Sequence, residues 1–472
     1  MKKALLILGG IAGTLVLALV IFLLTFDADA YKPRLESAAS QATGMNVRIN
    51  GKMKLTLFPH AGFRLEEVLI KNQGADVLAV KRTEAAIRLL PLLKREVSIK
   101  HIRFIAPRVF ITKDEAGRFN FATPEKKSEG KKFQIRLWGV EEIVIKGGYL
   151  QYLDQKTGQK TEANACDFTL HNLSADAGGF FRRLSCEGDF ACKEFRKETL
   201  KISAIRGIMK VHEGFLEANP ITMKIFGGDG RGSIGVNFAG DIPGYTLDFT
   251  VTKVRFEELL EAFKQKKSVH GELALKWRLA MQGKNAAAMT RTAQGNLVLD
   301  GQDLLYQGID IDRMLEKYEK STNISLIDIG GVLLAGPLGL AVTKGYDYGS
   351  AYWESRGGQS AIKKLISRWT VKNGVAEALD VALSTGKNRV ALKGRLDFVR
   401  ERFDDVTVAV VDEKGCALLS QHIHGPFRHP VIEQINLLIS IAGPIINLYQ
   451  KTEKLLGVGD CQIFYAGALK HP

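Results

Sequence analysis

The sequence predicts a mainly β protein with few helices, held in a membrane by one N-terminal transmembrane helix. Three observations carry this prediction. The chain of 472 residues is 46% hydrophobic and 25% charged, which is typical of folded proteins and excludes a disordered chain. It begins with a long uncharged apolar run. Beyond that run, segments with apolar residues two apart recur at spacings of roughly 8 to 15 residues, with Gly, Asn or Asp turns between them.

The apolar run extends from Ala4 to Leu24. As a helix its roughly 21 residues measure about 31 Å, the hydrocarbon thickness of a bilayer. Lys2 and Lys3 precede it, so the positive-inside rule places the N-terminus in the cytoplasm and the rest of the chain outside it. A cleaved signal peptide is the alternative, because residues 28–30 (Ala-Asp-Ala) have the shape of a cleavage site.

The positive charge is concentrated at the N-terminal end. Residues 1–150 carry 25 Lys and Arg against 14 Asp and Glu, so about +11 of the net charge of +15 lies there. The basic residues are scattered singly and lack a recognition-helix pattern, and a translocated domain meets no chromosome. Anionic lipid headgroups therefore explain the charge better than nucleic acid does.

The five cysteines would lie in an oxidising space if the host is a Gram-negative bacterium. Because five is odd, at least one thiol stays unpaired. Cys416 and Cys461 are the predicted disulfide, since each adjoins a strand-like run. Both could instead be small buried hydrophobic residues.

The segments after the anchor are predicted in order. Residues 31–42 form a short helix with Pro33 in its first turn, and strand-like alternation follows to residue 104. Residues 125–132 (EKKSEGKK) form a charged linker. The predicted regions are the cytoplasmic tip and anchor 1–26, an N-terminal domain 27–124, the linker 125–132, a middle β region 133–294, a C-terminal β region 295–425, and a helical tail with a final strand, 426–472.

Helical segments are few. Amphipathic patterns predict helices over 256–263 and 309–320. Two apolar stretches, 324–342 and 431–448, contain Pro and Gly and are poor bilayer helices, so they are expected to line a groove or touch a surface.

The clearest alternation lies in the C-terminal region. Four apolar side chains alternate there with charged ones, and three valines continue the pattern; the seven residues are Val390, Leu392, Leu396, Phe398, Val406, Val408 and Val410. One apolar sheet face is therefore expected to run through much of the chain.

Two motifs could indicate a cofactor or a metal. Residues 230–235 satisfy G-x-G-x-x-G, but the following residues read as strand and turn rather than the helix that a dinucleotide site needs. His422 and His424 fall on one strand face, yet no Cys, Asp or Glu lies close in sequence to complete a metal site. No nucleophile elbow, Walker loop, HExxH or CxxC occurs, so we expect no cofactor, no metal and no enzyme activity.

The N-terminal third resembles the AsmA family. In that family a short helix is followed by Thr-Gly, a strand, Gly, an aromatic-Pro pair and a strand that ends in Asn. A leucine pair, a basic turn and an Asp-x-x-Gly-x-x-Asn run come next. The matching residues here are Thr43, Gly44, Gly51, Phe58, Pro59, Asn72, Leu92, Leu93, Lys94, Arg95, Pro107, Asp114, Gly117 and Asn120. Phe121 stands where the family often has an aromatic such as Trp.

The later part of the chain is also similar to the family. The matching turn and strand elements are carried by Phe226, Gly227, Gly228, Gly295, Asp300, Gly301, Gly308, Asp310, Asn373 and Gly374. Residues 140–215 and the tail from Cys416 to Cys461 match less well.

The resemblance implies an inner-membrane protein whose periplasmic body is an elongated, curled antiparallel β-sheet forming an apolar groove. Such proteins resemble bridge-like lipid transfer proteins with a chorein-type start. The implied function is phospholipid binding and transfer in support of outer-membrane biogenesis. The seven alternating residues from Val390 to Val410 would then line the groove.

A second hypothesis is a periplasmic scaffold or assembly factor that contacts outer-membrane proteins without carrying lipid. An apolar sheet face that is open to solvent favours lipid binding, whereas a covered face favours the scaffold.

Overall fold

The computed structural model describes residues 27–56, 61–88, 99–122, 140–174, 184–263, 265, 267–316, 326, 329, 333, 358–437 and 463–472. Most of these residues lie in β-strands, so the prediction of a mainly β protein is confirmed. The chain divides into two compact units, Met1–Glu198 and Thr199–Pro472. This division falls inside the predicted middle region 133–294, and the predicted linker 125–132 lies outside the described residues.

The first unit contains one 3₁₀ helix, one α-helix and eight strands among its described residues. They are the 3₁₀ helix Ala28–Tyr31, α1 (Lys32–Thr43), β1 (Asn46–Ile49), β2 (Met53–Thr56), β3 (Gly62–Asn72), β4 (Ala75–Ile87), β5 (Ile99–Lys113), β6 (Glu142–Asp154), β7 (Lys160–Ser174) and β8 (Ser185–Lys197).

Helix α1 confirms the helix predicted over residues 31–42. Pro33 lies in its first turn, where a missing N–H costs nothing because the first-turn N–H groups have no helical acceptor. Gly44 ends the helix with a φ of 70°, a left-handed conformation that glycine adopts without strain.

The strands of the first unit pair mainly in sequence order. Both β1 and β2 pair with β3, which pairs with β4, and β4 pairs with β5; all of these pairs are antiparallel. Strands β5 and β6 are parallel, and β6–β7 and β7–β8 are antiparallel. The expected all-antiparallel sheet is therefore wrong at β5–β6. Parallel neighbours need a long connection between them, and β5 ends at Lys113 whereas β6 begins only at Glu142.

The apolar alternation shifts phase within this sheet. In β5, Ile102 and Phe104 occupy even-numbered positions, whereas Pro107 and Val109 occupy odd-numbered positions. Ala106 lies between them with a φ of 48°. This left-handed residue interrupts the regular strand, which explains why a strict period of two fails across the segment.

The second unit contains fourteen strands and three short helices among its described elements. They are β9 (Leu200–His212), β10 (Phe215–Ile225), β11 (Gly228–Asn237), β12 (Gly244–Arg255), α2 (Phe256–Ala262), β13 (Val269–His270), β14 (Glu272–Gln282), α3 (Ala286–Thr292), β15 (Gln294–Gln307), α4 (Ile311–Glu316), β16 (Gln359–Lys372), β17 (Val375–Ser384), β18 (Arg389–Asp397), β19 (Arg402–Val411), β20 (Ala417–Pro426), β21 (Val431–Ile432) and β22 (Asn436–Leu437).

These strands form an antiparallel sheet in the order β9–β10–β11–β12–β14–β15–β16–β17–β18–β19–β20. Strand β13 pairs with β15, and β21 and β22 pair with β20. The regular spacing of strand-like segments and turns correctly predicted an antiparallel sheet in the second unit.

Helix α2 confirms the helix predicted over 256–263, and α4 confirms part of the one predicted over 309–320. Within the apolar stretch 324–342, Leu326, Ile329 and Leu333 are helical and completely buried. Most of the predicted helical tail lies outside the described residues. Its described start, through β21 and β22, forms two short strands instead of a helix.

None of the helices in the described residues is long and apolar enough to cross a bilayer. The predicted anchor from Ala4 to Leu24 lies outside those residues.

The second unit has two buried apolar clusters, one on each face of its sheet. The main core lies between the sheet and the helical segments. The smaller cluster packs the last described segment, 463–472, against alternate residues of β16 to β19; its members are Ile366, Ala382, Ala391, Ala409, Val411, Tyr465 and Leu469.

Candidate functional site: two apolar sheet faces

The first unit presents rows of apolar side chains across its sheet. Residues that pair directly on neighbouring strands point to the same face. One such row crosses six strands and consists of Leu65, Thr83, Phe104, Ile145, Phe168 and Phe190. The next row, two residues along, consists of Phe63, Ala85, Ile102, Ile143, Leu170 and Gly188. We call these two rows the first apolar face.

The opposite side of the same strands is largely polar. The residues between the two rows are Arg64, Glu84, Arg103, Val144, Thr169 and Asp189. Arg64 Nε and Glu84 Oε1 form an ion pair at 3.0 Å on this side. The sheet of the first unit is thus amphipathic, with one face suited to water and one suited to apolar contact.

The first apolar face is only half-buried. Its large side chains, including Phe104, Ile145, Phe168 and Phe190, keep an intermediate exposure. Both buried clusters found in the described part of the chain consist of second-unit residues. Phe168 and Phe190 stack with ring centroids 6.2 Å apart, but this contact leaves their outer surfaces accessible. The face therefore offers apolar surface that the described first-unit residues leave uncovered.

Farther along the polar side, Tyr149 Oη donates a 2.6 Å hydrogen bond to Glu162 Oε1. Desolvation and this carboxylate raise the pKa of Tyr149, and the tyrosine hydroxyl together with Lys160 lowers the pKa of Glu162. Arg108 lies 5.4 Å from the Tyr149 ring centroid. These contacts keep charge on the side opposite the apolar rows and hold β5, β6 and β7 together.

The second unit has a comparable face at one end of its sheet. Directly paired residues form a row of Val211, Leu216, Val236, Tyr245 and Met281. A neighbouring row contains Met209, Ala218, Ile234, Leu247 and Leu279. Most of these side chains are half-buried. We call these rows the second apolar face.

The second apolar face becomes a closed core as the strands continue. Along β12, Tyr245 and Leu247 are half-buried, Phe249 is 4% exposed and Val251 is completely buried. Val251 pairs with Leu275 of β14, which is 2% exposed. The transition occurs where helical segments begin to cover the sheet.

Six of the seven residues proposed from the sequence to line a groove lie in this closed core. Val390, Leu392, Leu396, Val406, Val408 and Val410 are 0–2% exposed. The seventh, Phe398, is half-buried and packs against Phe427 at a centroid distance of 5.7 Å. The alternation identified the inward side of β18 and β19 correctly, but the structure covers that side with protein instead of leaving it open.

The cover consists of helical residues of the same unit. The contributing side chains are Phe256, Leu259 and Leu260 of α2, Ile311 and Leu315 of α4, and Leu326, Ile329 and Leu333. The last three recur at intervals of three and four, which places them on one side of a helix. These three side chains are therefore buried against protein.

Three buried polar side chains fix the cover to the sheet. Ser360 Oγ accepts from the Ile311 N–H and donates to the Ile309 carbonyl, both at 2.7 Å. Gln421 Oε1 accepts from the Leu326 N–H at 2.7 Å, and Ser367 Oγ donates to the carbonyl of residue 333 at 3.2 Å. These bonds satisfy backbone N–H and carbonyl groups that burial would otherwise leave unpaired, so the cover is a specific part of the fold.

One disulfide joins β7 and β8, a pair that the sequence analysis did not predict. Cys166 and Cys192 lie directly opposite each other on β7 and β8 and form a disulfide, with Cα atoms 4.1 Å apart. Cys186 is a buried free thiol, and burial raises its pKa. Predicting this disulfide would have required the register between β7 and β8, which places the two cysteines opposite each other.

Cys416 takes part in a disulfide. Its proposed partner, Cys461, lies outside the described residues, so that pairing stays a prediction. The backbone at Cys416 forms an isolated antiparallel bridge with Ile463, which brings the two chain segments together.

The glycine motif at residues 230–235 lies within strand β11. The sequence predicted strand and turn here instead of a helix. A Cβ on Gly232 would come within 2.1 Å of the Asp248 carbonyl oxygen and 2.5 Å of the Phe249 ring. Glycine at this position therefore permits close packing of two strands, and no helix N-terminus is present there to bind a pyrophosphate.

The histidine pair has partners that the sequence did not suggest. His422 Nε2 lies 3.5 Å from Asp405, and His424 Nε2 lies 3.5 Å from Glu433. Within the described residues, no group of three or more potential ligands is arranged to hold a metal.

Two asparagines of the family pattern have a structural role. Asn72 is buried and donates to the carbonyls of residues 120 and 122 at 2.8 and 3.0 Å. Asn120 donates to the Phe110 carbonyl at 2.8 Å and accepts from the Thr112 N–H at 3.0 Å. Together they close the turn that follows β5.

Comparison with known proteins gives one family. The sequence model of the AsmA family matches residues 1–178 and 183–336, well over half of the chain. No curated protein matches the chain.

Proposed function

Because the chain belongs to the AsmA family, we propose that it is an inner-membrane-anchored, periplasmic lipid-binding and transfer protein that supports phospholipid transport and outer-membrane biogenesis. The first apolar face is the observation that supports this function most directly. The role requires binding and passage of lipid, with no catalytic step and no cofactor.

The dimensions of the first apolar face suit an acyl chain. A row across six strands covers five strand spacings of about 4.8 Å, or about 24 Å. One lipid leaflet contributes about 15 Å of a hydrocarbon core of about 30 Å. A single row is therefore longer than the depth that an acyl chain spans in one leaflet, and the opposite side of the sheet is largely polar.

Binding is stabilised by about 25 cal/mol for each Å² of exposed apolar surface that is removed from water. The large side chains of Phe104, Ile145, Phe168 and Phe190 contribute such surface on adjacent strands. Acyl chains are apolar and deformable, so they can cover these rings without needing hydrogen-bond partners. The half-buried rows thus favour lipid over a polar small molecule.

A photoreactive amino acid placed at two adjacent positions of the full chain in cells tests this proposal. At Phe168, on the apolar side, we expect ultraviolet light to yield a phospholipid adduct detectable by mass spectrometry. At Thr169, on the polar side of the same strand, the adduct is expected to be at least tenfold weaker. Equal labelling at the two positions, or none at either, would contradict lipid binding at this face.

The proposed location has its own test. A reporter enzyme that is active only in the periplasm should work when fused after Pro472 and fail when fused before the anchor. An active reporter at both ends, or at the N-terminal end alone, would contradict the proposed orientation.

A second candidate function is a periplasmic scaffold or assembly factor for outer-membrane proteins without lipid carriage. The closed core over β15 to β20 favours it, because the helical cover removes the apolar side of those strands from contact with a ligand. Protein adducts at Phe168, with no lipid adduct, would support this second function against the first.

A further inference from the structure

Among the residues that the structure describes, strands β1 and β2 form one edge of the first unit's sheet. Both pair with β3 on one side, β1 with residues 68–71 and β2 with residues 62–65. An edge strand presents outward N–H and C=O groups that can accept a further strand. The N–H groups of Val47, Ile49 and Met53 belong to this edge.

Side chains from the preceding helical segment occupy these three donors. Val47 N–H donates to Ser40 Oγ at 2.9 Å, and Ile49 N–H donates to Glu36 Oε1 at 2.6 Å. Met53 N–H donates to Asp29 Oδ1 at 2.7 Å. The acceptors thus take the positions where the carbonyl oxygens of an added strand would lie.

The acceptors are placed by local helix geometry. Glu36 and Ser40 are four residues apart on α1 and therefore share one side of it. Asp29 belongs to the 3₁₀ helix, and its carboxylate also pairs with Lys32 Nζ at 3.1 Å. The Met53 N–H, followed by Lys32, lowers the pKa of Asp29, so the carboxylate stays ionised.

The charged side chains of this edge are all basic. Arg48, Lys52 and Lys54 are all exposed to solvent. Like charges disfavour pairing of this edge with the same edge of a second copy. They favour a strand with acidic side chains, the same chemistry that Asp29 and Glu36 already provide from within the chain.

We propose that the β1–β2 edge is a strand-addition site for an extended acidic segment of a partner protein, and that Asp29, Glu36 and Ser40 guard it by occupying its N–H groups. An incoming strand must displace these three acceptors, which reduces its affinity for the free edge. This inference does not depend on the proposed lipid function.

The test uses the full chain in detergent micelles and a fluorescent peptide, acetyl-Thr-Glu-Val-Glu-Thr-Glu-Val-amide. The triple variant Asp29→Ala, Glu36→Ala, Ser40→Ala should bind this peptide at least tenfold more tightly than the native chain. The matched variant Asp29→Asn, Glu36→Gln, Ser40→Thr keeps an acceptor oxygen at each position and should bind like the native chain.

Two further measurements make the result specific. The same peptide with Lys in place of Glu should gain no affinity, and bound acidic peptide should slow amide exchange at Val47, Ile49 and Met53. If the triple variant loses its circular dichroism signal, Ser40→Ala alone frees one donor and should give a smaller gain. An unchanged affinity, an equal gain for the Lys peptide, or dimerisation of the variant would overturn the proposal.

Discussion

Tyr465 Oη donates a 2.6 Å hydrogen bond to Asp380 Oδ1 and so joins segment 463–472 to β17. The tyrosine oxygen also accepts from the Leu469 N–H at 3.1 Å. Arg389 lies 5.2 Å from the Tyr465 ring centroid and donates to the carbonyl of Leu469 at 2.7 Å. The end of the chain is therefore held by a polar network on the side of the sheet opposite the main core.

This network makes stability sensitive to alkali. Burial, and then the hydrogen bond to Asp380, raise the pKa of Tyr465 above the value of about 10 expected in an unfolded chain. The folded state therefore keeps a proton that the unfolded state loses. The stability that Tyr465 contributes is complete below about pH 10 and is lost as the pH rises toward the folded pKa.

Tyr465→Phe should reduce stability by about 1 kcal/mol at neutral pH, because it removes the hydroxyl bonds. Above pH 10, its unfolding midpoint should fall less steeply than that of the native chain. Urea unfolding between pH 7 and 11 measures both effects. Tyr31→Phe, at a site that is 46% exposed, is the control and should leave the stability at neutral pH nearly unchanged. Parallel curves for Tyr465→Phe and the native chain would refute the assignment.

Leu392 should behave as a core residue. It is 2% exposed beneath the helical cover, so Leu392→Ala is expected to lower the free energy of unfolding by about 2–5 kcal/mol. Leu379 is 65% exposed on the neighbouring strand β17, and Leu379→Ala should cost less than about 0.5 kcal/mol. Denaturant titration compares the two. Similar, small losses would mean that the cover opens readily and that β18 faces a groove.

Gly232 tests the packing of β11 against β12. Gly232→Ala should destabilise the second unit, because the added Cβ would come 2.1 Å from the backbone oxygen of Asp248. At Gly240 the nearest atom to an added Cβ is 3.8 Å away, so Gly240→Ala should be tolerated. Thermal unfolding followed by circular dichroism distinguishes the variants. A Gly232→Ala variant as stable as Gly240→Ala would contradict the strand register described for β11.

The disulfide between Cys166 and Cys192 should stabilise the first unit. It closes a loop with a sequence separation of 26, for which chain entropy gives about 3.5 kcal/mol. The double variant Cys166→Ala, Cys192→Ala is therefore expected to unfold at a lower urea concentration. Mass spectrometry of thiol-labelled peptides shows independently whether Cys166 and Cys192 are joined in the native chain.

Cys186 provides the contrast in the same experiment. Because it is buried, and burial raises its pKa, it should react with iodoacetamide only after unfolding. Rapid labelling of Cys166 or Cys192 in the native, non-reduced chain would contradict the disulfide.

The sequence alone determined the amphipathic character of the strands and several helices. Alternation placed Leu392 and Val408 on the inward side, and proline and glycine placed the ends of α1, because these signals depend on neighbouring residues only. The sequence pattern did not identify Phe168 and Phe190 as part of an apolar face. Both belong to residues 140–215, where the family resemblance is weak. The expectation of antiparallel pairing was wrong at β5–β6, because no local sequence signal specifies the direction in which a strand joins the sheet.

Whether an apolar face is open or covered was decided by tertiary structure alone. Val390 and Phe104 look alike in sequence, each an apolar residue in an alternating strand. Val390 is completely buried because helical residues distant in the chain, such as Leu333, pack against its sheet, whereas Phe104 is half-buried. Alternation specifies which side of a strand is apolar, but burial depends on contacts between residues far apart in sequence, and these form only when the chain folds.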